Sequence, residues 1–536
     1  MRSMIRRIGL ALLLTSTLSL VQAQALRFDI NGFKIEGNTL LEASEIDAVL
    51  TPFIGKNREY GDVQRAMEAI RARYRGAGFS VVWVVAPEQD LDRGIVTLQV
   101  IEARVGKVII EGNRYFDDAN IRASLPALIE EAPPRAGGIS ANLQLGNENP
   151  ARQLDVVLRP GEEPGVVDAT VDVIDVQPFK VFATLDNTGN ADTGEYRLGV
   201  GLQHANLFNR DHVATFNYVT SPGKRSQVSI YSGSYRLPLY SLGDSIDFIM
   251  AYSDVTSGTT PTVAGPLAFS GKGTVYGLRY NQLLARRGEY SHRLVYGLDY
   301  RAYQNQCALG DFGEAGCGPA AVDITGRPVS VTYAGNWSQP ARISDFFVAL
   351  SQNLPGASHG QERDFNAARP SPTGAAGAPS RYTIARFGAS MVNAFESNWQ
   401  VRGAFVAQYT PDALVSGEKF GIAGATAVRG FHEREIARDT GYFANLELYS
   451  PNLAGQMVPG EGNLRALVFY DIARAANKPL AGEARQQVSI ASMGAGLRLN
   501  LQRNFNIRFD LARVMDGGGS KNLGDFRGHV SIYLGF

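Results

Sequence analysis

The feature that most restricts this chain is an alternation of apolar and polar residues that starts near residue 178 and runs to the last position. Phe505, Ile507, Phe509 and Leu511 alternate with Asn506, Arg508 and Asp510. Val530, Ile532, Leu534 and Phe536 alternate with His529, Ser531, Tyr533 and Gly535. Leu464, Ala466, Val468, Tyr470 and Ile472 share a third such face. Successive side chains of a strand point to opposite faces, so each segment reads as a strand with one apolar side. Sixteen segments begin near residues 178, 195, 211, 225, 242, 270, 289, 326, 342, 381, 398, 442, 463, 488, 504 and 527. They are roughly 9 to 14 residues long, enough for a tilted strand to cross a bilayer. A soluble sandwich alternates too, so the links decide. Links from even to odd segments tend to be short, as at 338–341 and 502–503. The long ones, 303–325, 354–380 and 411–441, lead from odd to even. That asymmetry predicts a 16-stranded antiparallel transmembrane β-barrel over 177–536, with both barrel ends on the side of the short turns.

The first 25 residues read as a signal peptide. Arg2, Arg6 and Arg7 precede an apolar stretch from Ile8 to Leu20, and small residues follow at Ala23 and Ala25. No later run reaches the roughly 20 apolar residues of a spanning helix, which leaves strand closure as the route across a membrane. The 52 basic and 52 acidic residues balance, arguing against a nucleic-acid partner. Six scattered histidines with no HExxH or Cys-x-x-Cys spacing predict no metal site, and no cofactor motif stands out. Without a Gly-x-Ser-x-Gly elbow or a Ser-His-Asp arrangement, the chain does not read as an enzyme. Cys307 and Cys317, the only cysteines, flank a loop-like segment, and an exported chain favours a disulfide between them over two free thiols.

Near the N-terminus, Ile35-Glu36-Gly37-Asn38-Thr39-Leu40 recurs as Ile110-Glu111-Gly112-Asn113-Arg114-Tyr115, which suggests two copies of one unit. In the first, a strand over 28–36 precedes a short helix near 42–55. Asp62 reads as the N-cap of a second helix that buries Val63, Ala66, Met67, Ile70 and Tyr74. Strands over 80–86 and 95–101 follow. The second copy has helices near 118–131 and 139–147 and strands over 151–158 and 166–173. The β-α-α-β-β order resembles the POTRA module, a periplasmic polypeptide-binding domain, giving POTRA 1 over 26–103 and POTRA 2 over 104–176.

The link 411–441 contains Thr426-Ala427-Val428-Arg429-Gly430-Phe431. Two POTRA-like copies, sixteen strands and this stretch together resemble the two-partner-secretion outer-membrane transporters, which include the haemolysin activation/secretion and filamentous-haemagglutinin transporters. The resemblance implies a Gram-negative outer-membrane pore that secretes an unfolded exoprotein from periplasm to cell surface. It implies that the 411–441 loop folds into the lumen, presenting Val428, Arg429, Gly430 and Phe431. It also implies that Arg429 pairs with Asp471 in Phe469-Tyr470-Asp471-Ile472-Ala473. Alternation independently turns Phe469 and Asp471 away from the lipid face. Lumen-facing Glu447 is an alternative partner, and Ala473 stands where the family has glycine. Phe536 resembles the C-terminal signal read by the barrel-insertion machinery, and lipids of the outer membrane surround the strands. Family members often carry a plug helix before the first POTRA. Here the first strand follows the predicted cleavage site within a few residues, which leaves no room for a plug, so either another element closes the resting pore or the pore rests leaky. An outer-membrane assembly factor and a porin-like channel remain alternatives. Two POTRA-like copies are few for the former, and paired binding modules are superfluous for the latter.

Overall fold

A computed structural model describes residues 27–90, 93–191, 193–254, 258–262, 265–269, 272–304, 319, 322–457, 462–502 and 504–536. The predicted signal peptide and both cysteines lie outside the described residues. The chain forms two compact units, the first ending at Arg104 but including 131–134 and 161–166.

In the first unit, Ile95–Glu102 is the central strand, parallel to Gly32–Glu36 and antiparallel to Val82–Val85. Helices Ala43–Leu50 and Tyr60–Gly76 accompany it. Val63, Ala66, Ile70 and Tyr74 are buried at helical spacing within one apolar core. The expected strand over 28–36 divides at Asn31. Arg27–Ile30 leaves the main sheet to pair with Gly55–Glu59, a polar strand that hydrophobic periodicity does not reveal. Asp62 is not the N-cap: the helix starts at Tyr60, Glu59 caps it, and the Asp62 side chain accepts the Glu59 N–H at 3.0 Å, completing a capping box.

The repeated Ile-Glu-Gly-Asn has a steric cause. Gly37 and Gly112 both adopt positive φ (80° and 88°), and a Cβ at either would collide with the carbonyl oxygen of Val100 or Val173 on the neighbouring strand. The Asn38 side chain then receives the Tyr74 hydroxyl, which also donates to Glu102 at 2.6 Å.

The second unit begins with a module of the same order: Arg104–Glu111, helices Asp118–Ser124 and Ala136–Gly146, then Arg152–Pro160 and Val166–Asp175, the last strand central. The helix expected over 118–131 stops at Ser124. Pro126 drives Leu125 out of the helical region, to φ −123° and ψ 53°.

The rest is a closed antiparallel barrel of 16 strands. They are Phe179–Asp186, Arg197–Leu207, His212–Thr220, Ser229–Leu239, Asp244–Asp254, Gly273–Arg287, Tyr290–Tyr303, Ile324–Gly326 continued by Pro328–Gln339, Arg342–Asn353, Thr383–Ala394, Gln400–Tyr409, Thr440–Tyr449, Gly462–Ala476, Gln487–Leu501, Phe505–Asp516 and Phe526–Gly535. Every expected strand start lies within a few residues of an observed one. Alternation holds: Val468, Tyr470 and Ile472 face outward, while Phe469, Asp471 and Ala473 are buried inside. The loop 354–380 carries the helix Glu362–Ala368, which its Pro- and Ala-rich composition concealed.

The barrel closes by pairing the last strand with the first over the five residues from Ser531 to Gly535. Phe536 extends this seam through reciprocal backbone hydrogen bonds with Val181 (2.8 and 3.2 Å). At the other end the Asn187 side chain bonds the Val530 N–H and the Gly528 carbonyl.

The second module is joined to two turns on the short-turn side of the barrel. Arg152 pairs with Asp211 at 2.5 Å, both side chains almost fully buried. Tyr240 donates to Asp211 at 2.7 Å and accepts from Arg152 at 2.9 Å. Asn120 accepts from Arg152 and donates to Asn206. Asn142 and Asn149 reach the carbonyls of Tyr240 and Ala205. Glu148, just past the module's second helix, pairs with Arg236 and Arg293 of the barrel wall at 3.2 and 2.8 Å.

Candidate functional site

The residues 410–439 connect the eleventh strand to the twelfth and contain a short hairpin, in which Phe420–Gly421 pairs with Ala437–Arg438. Its apolar residues explain why it leaves water. Phe420, Ile422, Ala423, Val428, Phe431 and Ile436 form one buried cluster with Ala473, Ala475, Val488, Ile490 and Val514 on the inner wall. Val428 and Phe431 are wholly inaccessible. Between them Gly430 has φ +98°, a conformation that favours glycine, and its N–H donates to His529 Nε2 at 2.9 Å.

That turn delivers Arg429 to a cluster of wall carboxylates. Its Nε donates to Asp471 Oδ2 at 2.8 Å and its Nη2 to Asp471 Oδ1 at 2.7 Å, a bidentate pair. The Arg429 backbone N–H adds a third contact to Asp471 at 3.2 Å. Nη1 lies 2.8 Å from Glu447 and 3.6 Å from Asp510. The guanidinium stacks on Phe469, 3.5 Å from the ring centroid. Gly494 makes room for that ring, because a Cβ there would lie 2.6 Å from Phe469 Cζ. Asn445 holds both sides, donating to Asp471 Oδ1 at 2.8 Å and to the Ala427 carbonyl at 2.7 Å. Burial disfavours the Arg429 charge, but the Asp471 hydrogen bonds, with Glu447 and Asp510, hold its pKa above the usual arginine value. Glu447 and Asp510 have cations of their own, Arg402 at 3.0 Å and Arg498 at 2.9 Å. Asp471 has none besides Arg429 among the described residues. One arginine thus joins three strands of the wall, the twelfth, thirteenth and fifteenth. The arrangement binds and positions.

Residues 28–103 match the POTRA domain of ShlB type. Residues 168–311 and 331–499, more than half of the chain, match the haemolysin secretion/activation proteins ShlB/FhaC/HecB. The chain belongs to that family. The heme/hemopexin transporter protein HuxB of Haemophilus influenzae (strain 86-028NP) is 21% identical over 518 residues, spanning 92% of this chain and 85% of HuxB. The outer membrane transporter CdiB of Escherichia coli is 23% identical over 455 residues, 83% of this chain and 72% of CdiB. The structure of CdiB from Escherichia coli has the same fold, with a TM-score of 0.77 at 17% identity over 98% of this chain and 93% of CdiB. CdiB from Acinetobacter baumannii gives 0.70 at 16% identity, covering 96% and 91%. The transporter therefore resides in the outer membrane with its POTRA region in the periplasm. Its family consists of secretion transporters rather than enzymes.

In this transporter the hairpin brings Val428, Arg429, Gly430 and Phe431 onto Phe469 and Asp471. Glu447, foreseen as a competitor for Arg429, is a simultaneous second partner. Asp510, Asn445 and His529 were not foreseen. Alternation had placed Asp510 and His529 opposite their lipid-facing neighbours, but which inward residues meet the hairpin depends on register around the barrel. Phe536 is remote from this site, in the seam.

Proposed function

We propose that this transporter exports one large, unfolded partner protein from the periplasm to the cell surface, and that the Arg429 hairpin is the element that opens its lumen. The observation that carries the reading is the buried Arg429, bound at once to Asp471 and Glu447 inside the barrel. Such a lock closes the path at rest and leaves it clear when the hairpin withdraws. The periplasmic modules, including the second one as a second POTRA domain, would take up extended segments of the partner by adding them to a sheet edge. The sheet of the first module ends on Val82–Val85, with half-exposed Trp83 and Val85. No nucleotide is available in the periplasm, so folding of the partner outside drives the passage. The half-exposed apolar residues of the outer barrel face suit lipid, and Phe536 would serve the insertion machinery during assembly.

The test is deletion of the gene in its native host, with complementation. One large exoprotein should disappear from the cell surface and medium and return with the wild-type chain, but not with Arg429→Ala. General depletion of other outer-membrane barrels would instead identify an assembly factor. An unchanged exoproteome with altered small-solute permeability would identify a porin.

A further inference from the structure

Arg429 fixes the tip of the lumen hairpin to one wall; the root of the same loop carries a buried charge of opposite sign. Glu418, in the short turn Ser416–Glu418, is 2% exposed. Arg301 Nη1 lies 3.1 and 3.0 Å from its two carboxylate oxygens, and the Tyr303 hydroxyl donates to it at 3.0 Å. Both partners face inward from the seventh strand. The fifteenth strand is eight steps away around the barrel and the thirteenth six, about half the circumference of a 16-strand barrel.

Among the described residues, the wall on this side is short of negative charge without the loop. Arg301 Nη2 shares Asp299 (2.7 Å) with Arg279 (2.6 Å), so two arginines divide one carboxylate. Inward-facing Arg386 on the tenth strand adds a third cation; its Nε donates to Gln408 at 2.8 Å. Glu418 offsets this excess. The approach is sterically prepared, since Gly417 lies against the Tyr303 ring and a Cβ there would come within 2.5 Å of Tyr303 Cζ. Gln408 Nε2 also donates to the carbonyls of Glu418 (3.1 Å) and Asp439 (3.0 Å), clamping both legs of the loop. Burial pushes the Glu418 pKa up, but Arg301 and Arg386 more than offset this and keep the carboxyl ionised.

We propose that Glu418 is a positioning residue that anchors the lumen hairpin to the wall opposite Asp471, so that the loop is a strut held at both ends by ion pairs of opposite polarity. This rests on the hairpin being the closing element, and deepens that reading by giving it a second point of control. Release of Arg429 alone would leave the hairpin pivoting on Glu418. Loss of Glu418 would let its root drift and strain the Arg429 contacts.

The test uses the purified full-length chain and needs no exoprotein, so it stands apart from the question of what is secreted. Open-channel fraction in planar bilayers and tryptic cleavage at Lys419, Arg434 and Arg438 are measured on heat-modifiable, assembled barrel. Glu418→Gln keeps the side-chain shape but removes the charge. It should raise the open fraction at least about tenfold, as expected for losing a charged hydrogen-bonded pair, and expose the hairpin to trypsin. Should E418Q assemble poorly, the R301Q/E418Q double substitution removes both charges together and should match the E418Q effect without adding to it. Parental open fraction and tryptic protection in assembled E418Q, or in the double variant, would overturn the proposal.

Discussion

Arg429 is bound unequally by its carboxylates, and that inequality orders the expected phenotypes. Arg429→Ala strands Asp471, which has no other cation among the described residues, whereas Glu447 and Asp510 keep Arg402 and Arg498. Leaving a buried carboxylate unpaired costs on the order of 3–5 kcal/mol, enough to loosen the tip of the hairpin from the wall. Asp471→Ala should be milder, because Glu447 still holds the arginine, and Asp471→Asn with Glu447→Gln together should approach Arg429→Ala. Arg429→Lys should rescue only in part. An ammonium cannot bridge both Asp471 oxygens while reaching Glu447, and it loses the planar stack on Phe469. The measurement is secreted exoprotein normalised to heat-modifiable barrel. Equal loss in Asp471→Ala and Arg429→Ala would mean that Glu447 contributes nothing.

At the scale of elements, the strands were largely legible and the hairpin was not. Alternation locates a strand because one face meets lipid and the other the lumen, and this held from Phe179–Asp186 to Phe526–Gly535. Short helices were displaced by local stereochemistry instead, as Pro126 ended one at Ser124 and Glu59 displaced Asp62 from the cap. Within 411–441, the stretch from Val428 to Phe431 was visible as a motif. The opposite anchor at Glu418 was not, because nothing in sequence ties it to Arg301 more than one hundred residues earlier. The hairpin's turn also depends on one backbone conformation. Gly430→Val should distort it, since a β-branched residue at φ +98° costs roughly 1–2 kcal/mol before any contact is counted. Secretion should fall further for Gly430→Val than for Gly430→Ala, with the barrel still heat-modifiable. Equal secretion by both would show that the turn tolerates side chains.

For the second unit as a whole, the joint around Arg152, Asp211 and Tyr240 makes the adjoining module a fixed extension of the barrel. An ideal Cβ on Gly243 would lie 3.3 Å from the Ala141 Cβ, close to disulfide geometry. A disulfide formed by Ala141→Cys with Gly243→Cys should therefore leave secretion near the parental level. Secretion lost under oxidation and restored by reductant would mean that the module swings during transport. The shared Ile-Glu-Gly-Asn made the two modules legible, but the joint was not, because its members are drawn from distant segments.

The two anchors also determine what the hairpin leaves behind. With it seated, Arg429 balances the carboxylates on one side and Glu418 offsets part of the cationic excess on the other. Once it withdraws, Asp471, Glu447 and Asp510 lose their shared guanidinium, while Arg301 loses the Glu418 carboxylate and, among the described residues, Asp299 alone is left facing Arg301, Arg279 and Arg386. The vacated channel then acquires a transverse dipole, acidic along one side and basic along the other. A passing polypeptide bearing both signs would be oriented about its long axis by that field, while a small ion of either sign would find a favourable edge to follow.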